Sequence, residues 1–115
     1  MNPESASAIR RIPTAIIILA LLAVADGVTT QVGMSLGIAE LNPLFAPLLA
    51  TVPLAAWSIY AAAWGALLVF LWWAQPRCGR RWWLAWVGFG IVGKAAIVAW
   101  NTAQLALLWW QWSLA

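Results

Sequence analysis

Three long apolar stretches, set apart by a Gly-to-Pro break and by a tight Arg-bearing turn, constrain this chain more than any other feature. They run from about Pro13 to Leu36, from Leu54 to Gln75 and from Trp82 to Leu108. Each is long enough for the roughly 20 residues that an α-helix needs to cross a bilayer. Six basic and three acidic residues occur among 115, and 65% of the chain is hydrophobic. A soluble domain is about half apolar and about a quarter charged. The length leaves room for one compact unit. The predicted fold is all-α: a single transmembrane domain over residues 1–115, built as an integral membrane three-helix bundle.

The basic residues give that bundle a direction. Five of the six sit in two clusters, Arg10–Arg11 and Arg77/Arg80/Arg81, and two crossings between them place both on one face. Residues 37–53 and the C-terminal segment carry no Lys or Arg. The positive-inside bias predicts N-in and C-out, with both Arg clusters in the cytoplasm. Arg10–Arg11 followed by an apolar run also resembles a signal peptide. The run continues past Asp26 to about Leu36, longer than such a core, which predicts an uncleaved first span. Residues 1–12 read as a short disordered or interfacial lead. After the first span, Gly37-Ile-Ala-Glu40-Leu-Asn42-Pro43 should break the helix. Residues 44–50 are apolar, contain Pro47 and precede Pro53. They are too short to span and predict a partial helix in the outer loop.

Composition removes several functions. The excess of three positive charges flanks apolar spans and forms no polar stripe, so nucleic acid is not an expected partner. The chain has no His, which removes the commonest metal ligand, axial His ligation of haem and the usual general base. Its single cysteine, Cys78, cannot form an internal disulfide or a multi-thiolate site; it reads as an ordinary loop residue.

The exceptional residues lie inside the spans. Asp26 follows Arg11 by fifteen residues, a depth of roughly 22 Å at the helical rise. Lys94 follows Arg81 by thirteen, a depth of roughly 20 Å. Opposite charges on different helices thus reach one level, where an unpaired charge costs at least about 2.5–3.5 kcal/mol; a pair in the bundle interior relieves both. Asp26, Thr29, Thr30 and Gly33 share one side of the first helix. Gly33 and Gly37 form a small-xxx-small pair suited to close helix approach. On the third span Gly90, Lys94 and Asn101 share a stripe, with Gly93 and Gln104 alongside and Ile97 interrupting it. Gln31, Glu40, Asn42, Asn101 and Gln104 are expected to form a second polar layer nearer the outer boundary. Gly88, Gly90 and Gly93 have dinucleotide-fingerprint spacing but no preceding strand, and read as helix-packing positions.

The eleven tryptophans sort onto the same map. Trp72, Trp73, Trp82, Trp83 and Trp86 bracket the Arg turn, while Trp57, Trp109, Trp110 and Trp112 fall near the outer boundary. Anchoring belts at both interfaces account for these. Trp64 and Trp100 sit deep; stacking on a pigment, quinone or lipid is the alternative there.

Asp26-Gly-Val-Thr-Thr30 followed by Gly37-Ile-Ala-Glu40-Leu-Asn42-Pro43 resembles the signature of a family of small bacterial and archaeal multi-span proteins, a domain of unknown function. The resemblance covers residues 26–43 and the three-span layout. It implies that Asp26, Thr30, Glu40, Asn42 and Pro43 act as one unit, and it supplies no activity. Lys94 and the Trp belts lie outside the motif. With the charge layout, it implies a multi-pass protein of the bacterial cytoplasmic (inner) membrane. Asn42 before Pro43 favours a turn, and Glu40 can fold back to cap the first helix. Asp26, Thr30, Glu40 and Asn42 are also hard oxygen donors of the type that suits Ca²⁺. Capping needs no ion, so no metal or other cofactor is expected.

No nucleophile and base pair up beyond the Thr29 and Thr30 hydroxyls near Asp26, so an enzyme is not expected. The expected role is a small accessory or interaction subunit of a larger membrane complex, or a self-associating bundle, with the buried polar cluster organising its helices. The alternative is a small oligomeric ion channel or transporter with Asp26, Lys94 and Glu40 along its pathway.

Overall fold

In the computed structural model, residues 11–37 and 45–115 are described, excepting the side chains of 45 and 46. Four helices make up this part: α1 (Thr14–Ser35), α2 (Phe45–Thr51), α3 (Pro53–Ala74) and α4 (Arg80–Ser113). α1, α3 and α4 are long and apolar enough to cross a membrane. The lead at residues 1–10 and the expected turn at Glu40, Asn42 and Pro43 lie outside the described residues.

Local chemistry sets the helix ends. Pro13, with its fixed φ of −59°, caps α1, and its carbonyl accepts from Ile16 and Ile17 at 3.0 and 3.3 Å. At the other end Gly37 takes φ +91° while its N–H donates to Met34 O at 3.1 Å. Only glycine adopts that conformation without strain, so Gly37 stops the helix. Among the described residues a Cβ on it would meet nothing within 4 Å, so no helix contact accounts for this glycine there. In α2, Pro47 falls in the first turn, where a missing N–H is harmless, and Thr51 Oγ1 donates back to its carbonyl at 2.8 Å. Val52 alone separates α2 from α3, with Pro53 opening the next helix. α2 packs against α3, and Leu49 and Ala56 are buried. Pro76 prevents α3 from continuing; Arg77 and Cys78 N–H both close onto Ala74 O, and Gly79 opens α4.

α1 packs chiefly along α4, with α3 laid more loosely across them. The buried side of α1 is Ile16, Leu19, Ala23, Asp26 and Gly33, one helical face. Its first half joins Leu71 of α3 and Trp83 and Val87 of α4 in an apolar knot beside the Arg turn. Trp83 corrects an expectation: it is 4% exposed, and its indole N–H donates to Leu71 O at 2.7 Å. It ties α4 to α3 and is no interfacial anchor. Trp72 is half-buried against the same knot. Trp73, Trp82, Trp109 and Trp110 are exposed.

α4 has 34 residues against 22 for α1 and α3 and ends at Ser113, about one and a half turns past the expected end at Leu108. Its glycines divide. A Cβ on Gly90 would stand 3.4 Å from both Leu19 methyl groups, whereas Gly88 and Gly93 face open space. Gly90 is therefore the contact point with α1, and Gly93 is not a packing position. Gly90→Leu is expected to cost about 1–3 kcal/mol through overpacking, measured by thermal unfolding in detergent. Gly93→Leu should stay within about 0.5 kcal/mol of the native chain.

Candidate functional site

Beyond the apolar knot, the buried side of α1 turns polar at Asp26, and every long helix contributes to what surrounds it. The Asp26 carboxylate has room for about four donors; Lys94, Thr30 and Asn101 each bring one, and the Tyr60 hydroxyl shares its single proton between Asp26 and Ala23 O. Oδ2 forms the ion pair with Lys94 Nζ and receives Tyr60 OH at 3.3 Å. Oδ1 receives Thr30 Oγ1 and Asn101 Nδ2, both at 3.3 Å. The side chains of Lys94 and Asp26 are 11% and 12% exposed.

A second ring of contacts fixes these donors. Asn101 also donates to Thr29 Oγ1 at 3.0 Å and to Thr30 Oγ1 at 3.3 Å. Thr29 spends its own proton on Ala25 O at 2.8 Å. The Tyr60 hydroxyl donates to Ala23 O at 2.9 Å and accepts from Lys94 Nζ at 3.2 Å. The Lys94 ammonium also lies 4.5 Å from the Trp64 ring centroid, a cation–π contact. Each charge in the spans is thus matched in sign and in hydrogen bonds, the condition for burying a pair.

The helices are shaped for this. Gly27 lets Trp57 and Tyr60 close onto α1: a Cβ there would lie 3.4 Å from the Trp57 ring and 3.6 Å from the Tyr60 ring. Trp57 Nε1 then donates to Gln31 Oε1 at 2.7 Å, a second tie between α1 and α3. On α4, Lys94 and Asn101 stand two turns apart on one face.

Of the residues singled out in the sequence, Asp26, Thr30, Lys94 and Asn101 meet directly, with Thr29 beside them. Asn101 reaches the Asp26 carboxylate itself and not an outer layer, because two helical turns from Lys94 bring its amide to the Thr29–Thr30 hydroxyls. Gln31 pairs with Trp57 instead. No hydrogen bond joins half-buried Gln104 to the cluster among the described residues. Gly33 is buried on the same side of α1. Glu40 and Asn42 lie outside the described residues. Trp64 caps the Lys94 charge, and Trp100 is 57% exposed.

Tyr60 is the member that sequence reasoning missed. It is the chain's single tyrosine and lies seventeen residues before Arg77, a depth of roughly 25 Å at the helical rise. The same count that levelled Asp26 with Lys94 therefore reaches it.

A cleft of about 410 Å³ runs along one flank of the cluster, lined by Asp26, Tyr60, Trp64, Lys94, Ile97 and Asn101 among others. Its rim includes exposed Ile59 and Ile97, so it opens between α3 and α4. Among the described residues no three His, Cys, Asp or Glu side chains gather as a metal site would require.

Asp26→Ala and Lys94→Ala are each expected to cost about 3–5 kcal/mol, since each strands the opposite charge. The double variant should cost less than their sum, as a double-mutant cycle of detergent unfolding would show. Tyr60→Phe removes one donor and should cost about 1–2 kcal/mol.

No curated protein and no solved structure matches the chain. A family model described as a domain of unknown function, DUF5658, matches residues 17–108, a stretch that contains the whole Asp26 cluster and all three long helices apart from their outermost turns. The chain belongs to that family.

Proposed function

We propose that the protein is a non-catalytic accessory subunit of a larger membrane assembly, a three-span protein whose polar cluster organises its own helices for docking. The observation that carries this reading is the convergence of three helices on Asp26. Its hydrogen-bond partners come from α1, α3 and α4, so the cluster fixes how three helices sit together. Buried polar groups serve such a specifying role in some systems. The α3–α4 cleft, polar at its floor and apolar at its rim, gives a partner helix a place to seat. The orientation that fits the charges is N-in and C-out, with the Arg turn in the cytoplasm of a bacterium and the bundle in its inner membrane.

The tagged chain, extracted from its native membrane in mild detergent, should migrate in fixed ratio with a larger complex. Ile97→Trp, at the cleft rim, should abolish that association without lowering thermal stability. A lone homo-oligomer would oppose the reading. Cation or proton flux into liposomes that disappears in Asp26→Asn would favour a pathway role instead.

A further inference from the structure

The α3–α4 side holds a second hollow, separate from the cleft at Asp26 and independent of the accessory role. This groove of about 660 Å³ begins at Cys78 in the Arg turn and ends at Gly90. Its walls include Leu67, Phe70, Trp82, Trp86 and Phe89, and it carries no charged side chain. From Cys78 to Gly90 it climbs twelve residues, roughly 18 Å at the helical rise. That is close to half of a hydrocarbon core about 30 Å thick. A spanning helix would need a groove twice as long, whereas the tail of one leaflet's lipid is of the right reach.

Cys78, at the turn end of the groove, is flanked in the chain by Arg77, Arg80 and Arg81, which do not line the groove itself. Arg77 folds back on α3, with its Nη1 donating to Trp73 O at 2.6 Å and its centre 4.3 Å from the Trp73 ring. That contact holds it at the turn and engages one of its five N–H groups. Arg80 and Arg81 are exposed. Among the described residues the sole carboxylate side chain is Asp26, already engaged with Lys94, so this cluster has no internal counter-charge there. Basic groups at the cytoplasmic ends of helices, beside a gap between them, are suited to anionic head groups.

The geometry points to a binding site for an anionic phospholipid, with one acyl chain lying in the aromatic groove between α3 and α4 and its phosphate held by Arg77, Arg80 and Arg81. The groove supplies the contact for the tail, and the arginines select the charge. A zwitterionic lipid of equal chain length gains the first and not the second.

Native mass spectrometry of the full chain, titrated with phosphatidylglycerol or phosphatidylcholine of identical acyl chains, tests this. Phosphatidylglycerol should bind with saturable one-to-one stoichiometry and much the higher affinity. The Arg80→Gln/Arg81→Gln variant should lose about 30-fold of that affinity, from about 1 kcal/mol per basic group. Trp86→Ala, at a side chain 69% exposed, should also weaken binding while leaving the arginines in place. Inorganic phosphate and a short-chain phosphatidylglycerol should compete poorly. In phosphatidylglycerol nanodiscs, alkylation of Cys78 by a neutral maleimide should slow relative to phosphatidylcholine nanodiscs. Equal retention of the two lipids, undiminished binding by the arginine variant, indifference to Trp86→Ala, or full competition by inorganic phosphate would each overturn the site.

Discussion

The structure turns on an ion pair that hydrocarbon would not tolerate unmatched. Asp26 and Lys94 belong to helices that pack along each other, and their charges neutralise where both side chains are nearly nine-tenths buried. The pair alone would leave lone pairs and N–H groups unmet. Tyr60, Thr30, Asn101 and the Trp64 ring complete it. Helix rotation is therefore tightly specified: turning any one of the three long helices by a single residue removes a donor from the carboxylate. The apolar knot of Ile16, Leu19, Leu71, Trp83 and Val87 restricts the other half of the bundle by shape, which is less selective about rotation.

Much of this was legible in the sequence, and the limits of that reading have physical causes. Spans follow from apolar length, and their ends from Pro13, Gly37, Pro53 and Pro76, whose backbone preferences act locally. Depth follows from counting residues away from the Arg clusters, which is why Asp26 and Lys94 could be levelled. Counting does not give azimuth. Trp83 lies one residue from exposed Trp82, yet rotation by one residue turns it into the core. Gly93 fits a packing spacing as well as Gly90 does, but only Gly90 meets Leu19. Gly37 shows the opposite confusion, since small size and positive φ are both reasons for glycine and the spacing cannot separate them. Tyr60 was missed because a neutral side chain in an apolar run carries no penalty that would draw notice.

The two halves of the molecule divide the work between α3 and its neighbours. Near the Arg turn, Trp83 and Leu71 bind α3 to α4 directly. Further along, α3 touches α1 through Trp57 and Tyr60 over Gly27, and its contact with α4 narrows to Tyr60 and Trp64 around Lys94. Hollows remain on both sides of this narrow bridge. α3 meets all three other helices, but its contacts with α1 and α4 are sparse beside those between α1 and α4, and it borders both of these hollows.

The unequal lengths of the helices carry a mechanical consequence. α1 and α3, at 22 residues each, measure roughly 33 Å and suit an ordinary hydrocarbon slab, while the 34 residues of α4 measure roughly 51 Å. One slab thickness cannot satisfy both, so α4 must lean or protrude. With Trp83 tethering α4 to α3 beside the Arg turn, any lean of α4 is taken up as a wider angle between the last two helices at their far ends.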